Sequence, residues 1–175
     1  MEYSRKENLD LYKRLKRLPI FWGIDEGGIC ELINLMQLCL YKEEEIVFNE
    51  DEEGDSLYII LSGKVEIFKT LEQNEQKNSI TLATLSEKMI FGEMTLLAPA
   101  TRTASARTHI NTTLLRFDKK DFKELLDQGG ITAYKLSYNI ACIVCERLRF
   151  MDNRIIRLMQ ENEDLKKNEL IQSMA

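Results

Sequence analysis

The sequence predicts an α+β fold in which an antiparallel β-barrel or sandwich lies between N-terminal helices and one long C-terminal helix. Three observations lead there. Apolar residues recur at helical spacing up to about residue 36. Short β-like runs broken by turn residues fill 37–118. From Thr132 onward about forty residues contain neither Gly nor Pro and keep a helical period. The resulting divisions are 1–36, an N-terminal helical segment; 37–118, the barrel core; 119–131, a helix and turn; and 132–175, a C-terminal coiled-coil helix.

Within the first segment, Leu9 to Leu18 reads as a short amphipathic helix stopped by Pro19. Asp25 is placed to cap a second helix through Met36, with Ile29, Leu32, Ile33 and Leu35 or Met36 inward. The clearest strands are 46–48, 57–61, 65–68, 80–85 and 113–117. Ser62-Gly63-Lys64 is a tight-turn signal, and the polar run 73–79 reads as a hairpin tip. Many short strands at this spacing favour a barrel or sandwich over a parallel sheet.

The last helix carries a heptad pattern. Ala141, Leu148, Ile155, Asn162 and Glu169 take a positions, and Val144, Met151, Leu158 and Leu165 take d. Asn162 is the polar a-position residue that specifies two parallel strands. Arg147 (g) would face Asp152 (e) of a second chain, and Glu161 would face Lys166. The expected dimer interface is therefore Val144, Leu148, Met151, Ile155, Leu158, Asn162 and Leu165.

Composition limits the chemistry. The chain has 24 Lys+Arg against 29 Asp+Glu, a net charge of −5, so direct DNA binding is not expected, since a duplex needs a basic surface. A single His leaves no His-rich metal site and no His-based triad; neither a metal nor a cofactor is expected, and no nucleophile–base pair marks an enzyme. His109 itself reads as a surface or loop residue. The charged start and the lack of a long apolar run predict a cytoplasmic protein without membrane attachment. Cys142-x-x-Cys145 lies inside the helical pattern with no second pair, so a core or interface role is expected rather than redox chemistry.

The segment 91–105 holds the binding chemistry. Gly92 lets backbone approach a ligand closely. Arg102 offers a planar fork of donors suited to a phosphate, and Glu93 a carboxylate suited to sugar hydroxyls. An anion plus hydroxyls describes a nucleotide.

Phe91-Gly92-Glu93, Leu96 and Arg102-Thr103-Ala104 resemble the phosphate-binding cassette of the cyclic nucleotide-binding domain family, which includes the catabolite activator protein and the regulatory subunits of cAMP-dependent protein kinase. Leu18-Pro19-Ile20-Phe21 resembles that family's entry motif, the stretch 53–65 its glycine-marked hairpin, and Phe122, Leu125 and Leu126 the helix after the barrel. The resemblance implies a jelly-roll barrel, or double-stranded β-helix, that binds cAMP or cGMP without catalysis. It implies that Glu93 accepts from the ribose 2′-OH and Arg102 pairs with the cyclic phosphate. Gly92, Met94 and Thr95 would hold phosphate and ribose through backbone, and Thr103 would give its hydroxyl to phosphate or purine. Tyr58, Ile60, Val65, Leu82 and Leu85 are barrel positions, and the base lid falls within 147–153, with Met151, Asp152 and Asn153 as candidates. The bacterial transcription factors of the family continue into a helix-turn-helix, whereas this sequence ends at Ala175. That pattern implies a stand-alone bacterial regulator, a homodimer that signals to an unidentified protein partner through its last helix. The alternative is a barrel of the same family that no longer binds cyclic nucleotide and serves as an interaction or other small-molecule sensor module.

Three departures stand out. Asp51 replaces the Gly of a first Glu-Gly-Asp tripeptide, a substitution a turn can carry because Asp tolerates positive φ. Thr101 stands where Pro is common. Thr95 stands where a small Ala is usual, adding either bulk against the ligand or a hydroxyl contact.

Overall fold

A computed structural model describes residues 5–73, 76–98 and 100–173. Helix α1 (Arg5–Leu15) leads to a 3-10 turn (Pro19–Phe21) and helix α2 (Glu26–Leu35). Helix α1 stops before the expected Leu18, because the residue preceding a proline is pushed out of the helical region and Leu18 lies at φ −82°, ψ 140°. The Asp25 cap forms as expected, its carboxylate accepting from the Gly28 N–H at 2.8 Å. Met36 falls outside α2 and opens strand β1 (Met36–Tyr41).

Seven further strands follow: β2 (Ile46–Phe48), β3 (Ser56–Ser62), β4 (Lys64–Gln73), β5 (Gln76–Ser86), β6 (Ile90–Phe91), β7 (Ser105–Thr108) and β8 (Thr112–Asp118). They form two four-stranded sheets, ordered β1-β8-β3-β6 and β2-β7-β4-β5, with every pair antiparallel. First pairs with last, second with next-to-last, and so inward, which is the winding of a jelly roll. The polar run 73–79 is strand for most of its length, not a loose tip. Leu71 pairs with Asn78 and Gln73 with Gln76, and 74–75 lie outside the described residues.

Strand β3 ties two cores together. Its alternate residues Tyr58 and Ile60 point between the sheets, where they join Phe48, Val65, Leu85, Phe91, Ala106 and Leu114. Leu57 and Ile59 point the other way, into a helical core with Phe21, Leu32, Phe117, Phe122, Leu136 and Ile140. Leu82, expected in the barrel wall, is instead 38% exposed. Helix α3 (Met94–Leu97) lies between β6 and β7; α4 (Lys119–Asp127) and α5 (Ile131–Ser173) close the chain.

Helix α5 is a single 43-residue element. Its first turns pack on the 3-10 turn through Ala133, Leu136 and Ile140, and Asn139 Nδ2 donates to the carbonyls of Ile20 and Trp22. From Met151 to Lys167 the side chains are exposed, and Arg154 Nη1 donates to the Leu82 carbonyl of β5 at 3.2 Å. Cys142 and Cys145 are both exposed, so of the expected core or interface role the core half does not hold. His109 is exposed, its Nδ1 3.7 Å from Glu44 Oε1. Among the described residues no helix is long and apolar enough to cross a membrane, and no cluster of three or more His, Cys, Asp or Glu could hold a metal.

Candidate functional site

The turn from β6 into α3 brings Gly92, Glu93, Met94 and Thr95 opposite Arg102. Gly92 sits at φ +74°, where a side chain is strained. A Cβ placed there would lie 2.6 Å from Arg102 Nη1 and 3.0 Å from the Ser56 carbonyl. Gly92→Ala is therefore expected to displace the guanidinium and to destabilise the fold by about 1–2 kcal/mol from the left-handed backbone alone. A lower melting midpoint with weakened ligand binding is the expected result, and an unchanged midpoint would show that the turn relaxes at no cost.

Arg102 is held at both its backbone and its side chain. Its N–H donates to Glu52 O at 2.8 Å and its carbonyl accepts from Asp51 N at 2.9 Å. Asp51 adopts φ +67°, so the turn survives the loss of Gly as expected. The guanidinium is 97% buried and lies 4.1 Å over the Phe48 ring. Nη1 donates to Ser56 O (2.8 Å), Thr95 Oγ1 (3.1 Å) and Gly92 O (3.2 Å); Nη2 donates to Ser56 Oγ (3.1 Å). Nε has no partner among the described residues, although it is buried. The nearest carboxylate oxygen, Asp55 Oδ1, is 3.6 Å from Nη2, and Asp55 also pairs with Arg116. Burial pulls the Arg102 pKa below its ordinary value, while Tyr58, Asp55 and Glu52 counter this. A guanidinium stays charged even so. The result is a buried cation with Nε unused, and a buried unpartnered donor on a cation marks a place for an anion.

Glu93 is 5% exposed, and its Oε1 accepts from Arg147 Nη1 of α5 at 2.6 Å. Arg147 thus pairs within its own chain, a bond that the heptad register does not show. Val144 likewise turns partly onto the helical core. Gly92, Glu93, Thr95 and Arg102 form one connected group. Thr103 and Met94 are exposed beside it. Met151, Asp152 and Asn153 are exposed about one turn further along α5 than Arg147, the residue that reaches the cassette. Leu148, Met151, Ile155, Leu158 and Leu165 form an exposed row, each at least 45% accessible, with Asn162 on the same side.

Ser56, Phe48 and Tyr58 belong to the site as well, and Arg147 is its contact with α5. The Ser56–Arg102 bonds span 46 positions and the Arg147–Glu93 bond spans 54. Only the fold brings these residues together. Ser56 directly after Gly54-Asp55 is the one local signal that could have pointed to it.

The fold and site together define a jelly-roll barrel whose β6–α3 turn faces a buried arginine. The family model for the cyclic nucleotide-binding domain matches residues 38–129, just over half of the chain. The chain belongs to the cyclic nucleotide-binding domain family. It is 31% identical over 138 residues to the cyclic AMP receptor protein of Thermus thermophilus, covering 79% of this chain and 61% of that one. It is 29% identical over 145 residues to the CRP-like cAMP-activated global transcriptional regulator of Mycobacterium tuberculosis, covering 83% and 62%. The crystal structure of Thermus thermophilus catabolite activator protein superposes with a TM-score of 0.68 at 30% identity, over 80% of this chain and 62% of that one. The chain thus spans about three fifths of the length of these bacterial relatives.

Proposed function

We propose that the chain is a non-catalytic regulatory module that binds cAMP or cGMP and passes the event on through α5. The observation that carries this reading is Arg102: buried, charged and fixed by four hydrogen bonds, yet with Nε unused. A cyclic phosphate supplies the missing acceptor and the missing negative charge together. Glu93 then takes the ribose 2′-OH through Oε2, since Oε1 is engaged by Arg147. Thr103, exposed beside the cassette, offers its hydroxyl to phosphate or purine.

Because Arg147 joins Glu93 to α5, a ligand that alters the surroundings of Glu93 acts directly on that helix. The shift it can produce is limited to its difference in affinity between the two helix positions. Two copies pair through the exposed row of α5 in a parallel coiled coil, in the cytoplasm, and the readout is recognition by a protein partner. Titration calorimetry with cAMP and with cGMP tests the ligand. Saturable binding of either at micromolar level is expected; heat from neither would overturn the nucleotide reading and leave the barrel as an interaction platform.

A further inference from the structure

We infer that Thr95 is a positioning residue that locks one side of the Arg102 guanidinium so that its other edge faces the phosphate. The inference rests on the nucleotide reading above and concerns the same site. Arg102 is used asymmetrically. Nη1 has three protein acceptors for two hydrogens, whereas Nε has none and Nη2 has a single side-chain hydroxyl. In a planar guanidinium the Nε–H and one Nη2–H run parallel along one edge, the edge that engages two oxygens of a phosphate at once. That edge is available because Nη1 is fully occupied by the protein.

Thr95 is the member of the Nη1 set that ties it to the ligand-bearing turn. Its hydroxyl has one proton and donates it to Gly92 O at 3.0 Å, which leaves the oxygen lone pairs for Arg102 Nη1. Its side chain is 98% buried and its methyl end seats against Gly54. A Cβ on Gly54 would lie 2.2 Å from Thr95 Cγ2, so the seat exists only because residue 54 is glycine. Of the two effects weighed for a threonine at this position, bulk against the ligand or an added hydroxyl contact, the geometry selects the contact. The bulk goes inward against Gly54 and the hydroxyl goes to Arg102.

The test compares Thr95→Val, which keeps the shape and removes the hydroxyl, with Thr95→Ser, which keeps the hydroxyl. Thr95→Val leaves Ser56 O and Gly92 O for the two Nη1 hydrogens, so the fold is expected to hold; Thr95→Ala serves as a second hydroxyl deletion. Two readouts are taken on each full-length variant. Calorimetry with the cyclic nucleotide that the parent chain binds should show Thr95→Val weakened about tenfold and Thr95→Ser close to the parent, the size expected for one bond to a charged group. Side-chain NMR of Arg102, assigned by its loss in Arg102→Lys, should show faster rotation about the Cζ–Nη1 bond in Thr95→Val and Thr95→Ala but not in Thr95→Ser. Equal rotation in all four proteins, or a Thr95→Ser that behaves like Thr95→Val, would overturn the inference. A parent chain that binds no cyclic nucleotide would defeat the function reading alone, because the NMR comparison in the unliganded chain still decides whether Thr95 positions Arg102.

Discussion

Arg102→Ala is expected to weaken cyclic nucleotide binding by about thirtyfold or more. Truncating one side of a desolvated charge pair costs about 2–5 kcal/mol, much of it from stranding the other charge, here the phosphate, in a dry site. Arg102 is 3% exposed and no lysine or arginine other than Arg102 donates to Gly92 O or Thr95 among the described residues, so water and neighbours supply little substitute. Arg102→Lys separates charge from geometry. It keeps the cation but loses the fork, and it should recover only part of the affinity. Thermal melting of the unliganded variants is the control, because Ser56 O also loses its 2.8 Å donor. Calorimetry that shows Arg102→Ala binding as tightly as the parent would refute the proposed site.

The second large effect concerns the row on α5. Leu148 and Ile155 are 62% and 51% exposed, and both occupy a positions. Burying an aliphatic side chain of this size contributes about 1.5–3 kcal/mol, and a parallel dimer buries both residues twice. Leu148→Lys combined with Ile155→Lys removes that contribution and sets like charges across the seam. Sedimentation equilibrium should show the parent as a dimer and the double variant as a monomer at the same concentration. Both residues lie outside the chain's own cores, so the melting of the barrel should change little. A dimer that survives both substitutions would show that the pairing surface lies elsewhere.

What could be read in the sequence follows from distance along the chain. Gly92, Glu93 and Arg102 lie within eleven positions of one another, and each has a chemical reason for its type, so the cassette was legible. Asp25 was legible too, because a cap acts three residues away. Strand β1 is not legible because Leu38-Cys39-Leu40-Tyr41 is apolar without a break, although Leu38 and Leu40 are exposed and Cys39 and Tyr41 half-buried. Strand β6 has only two residues and takes its place from pairing with Tyr58 and Ile59. Arg147 was assigned to a dimer contact because its heptad position is all that local text reveals. Its partner Glu93 enters only when α4 turns the chain back and lays α5 beside the β6–α3 turn. The same limit hid Ser56, whose carbonyl and hydroxyl both serve a residue 46 positions away.

The Arg147–Glu93 bond also has a mechanical meaning. Helix α5 continues from residue 147 to residue 173 without a break. At 1.5 Å per residue that is about 39 Å of helix, of which about 28 Å lies beyond its last bond to the barrel, from Arg154 Nη1 to the Leu82 carbonyl. A tilt of about 10° at that last bond, less than the difference between common helix-packing classes, would sweep the far end through roughly 5 Å. A displacement that is small beside a bound nucleotide thus arrives at the tip as a movement the size of an amino-acid side chain. In the proposed regulation the rod would act as a pointer, and its length would set the gain.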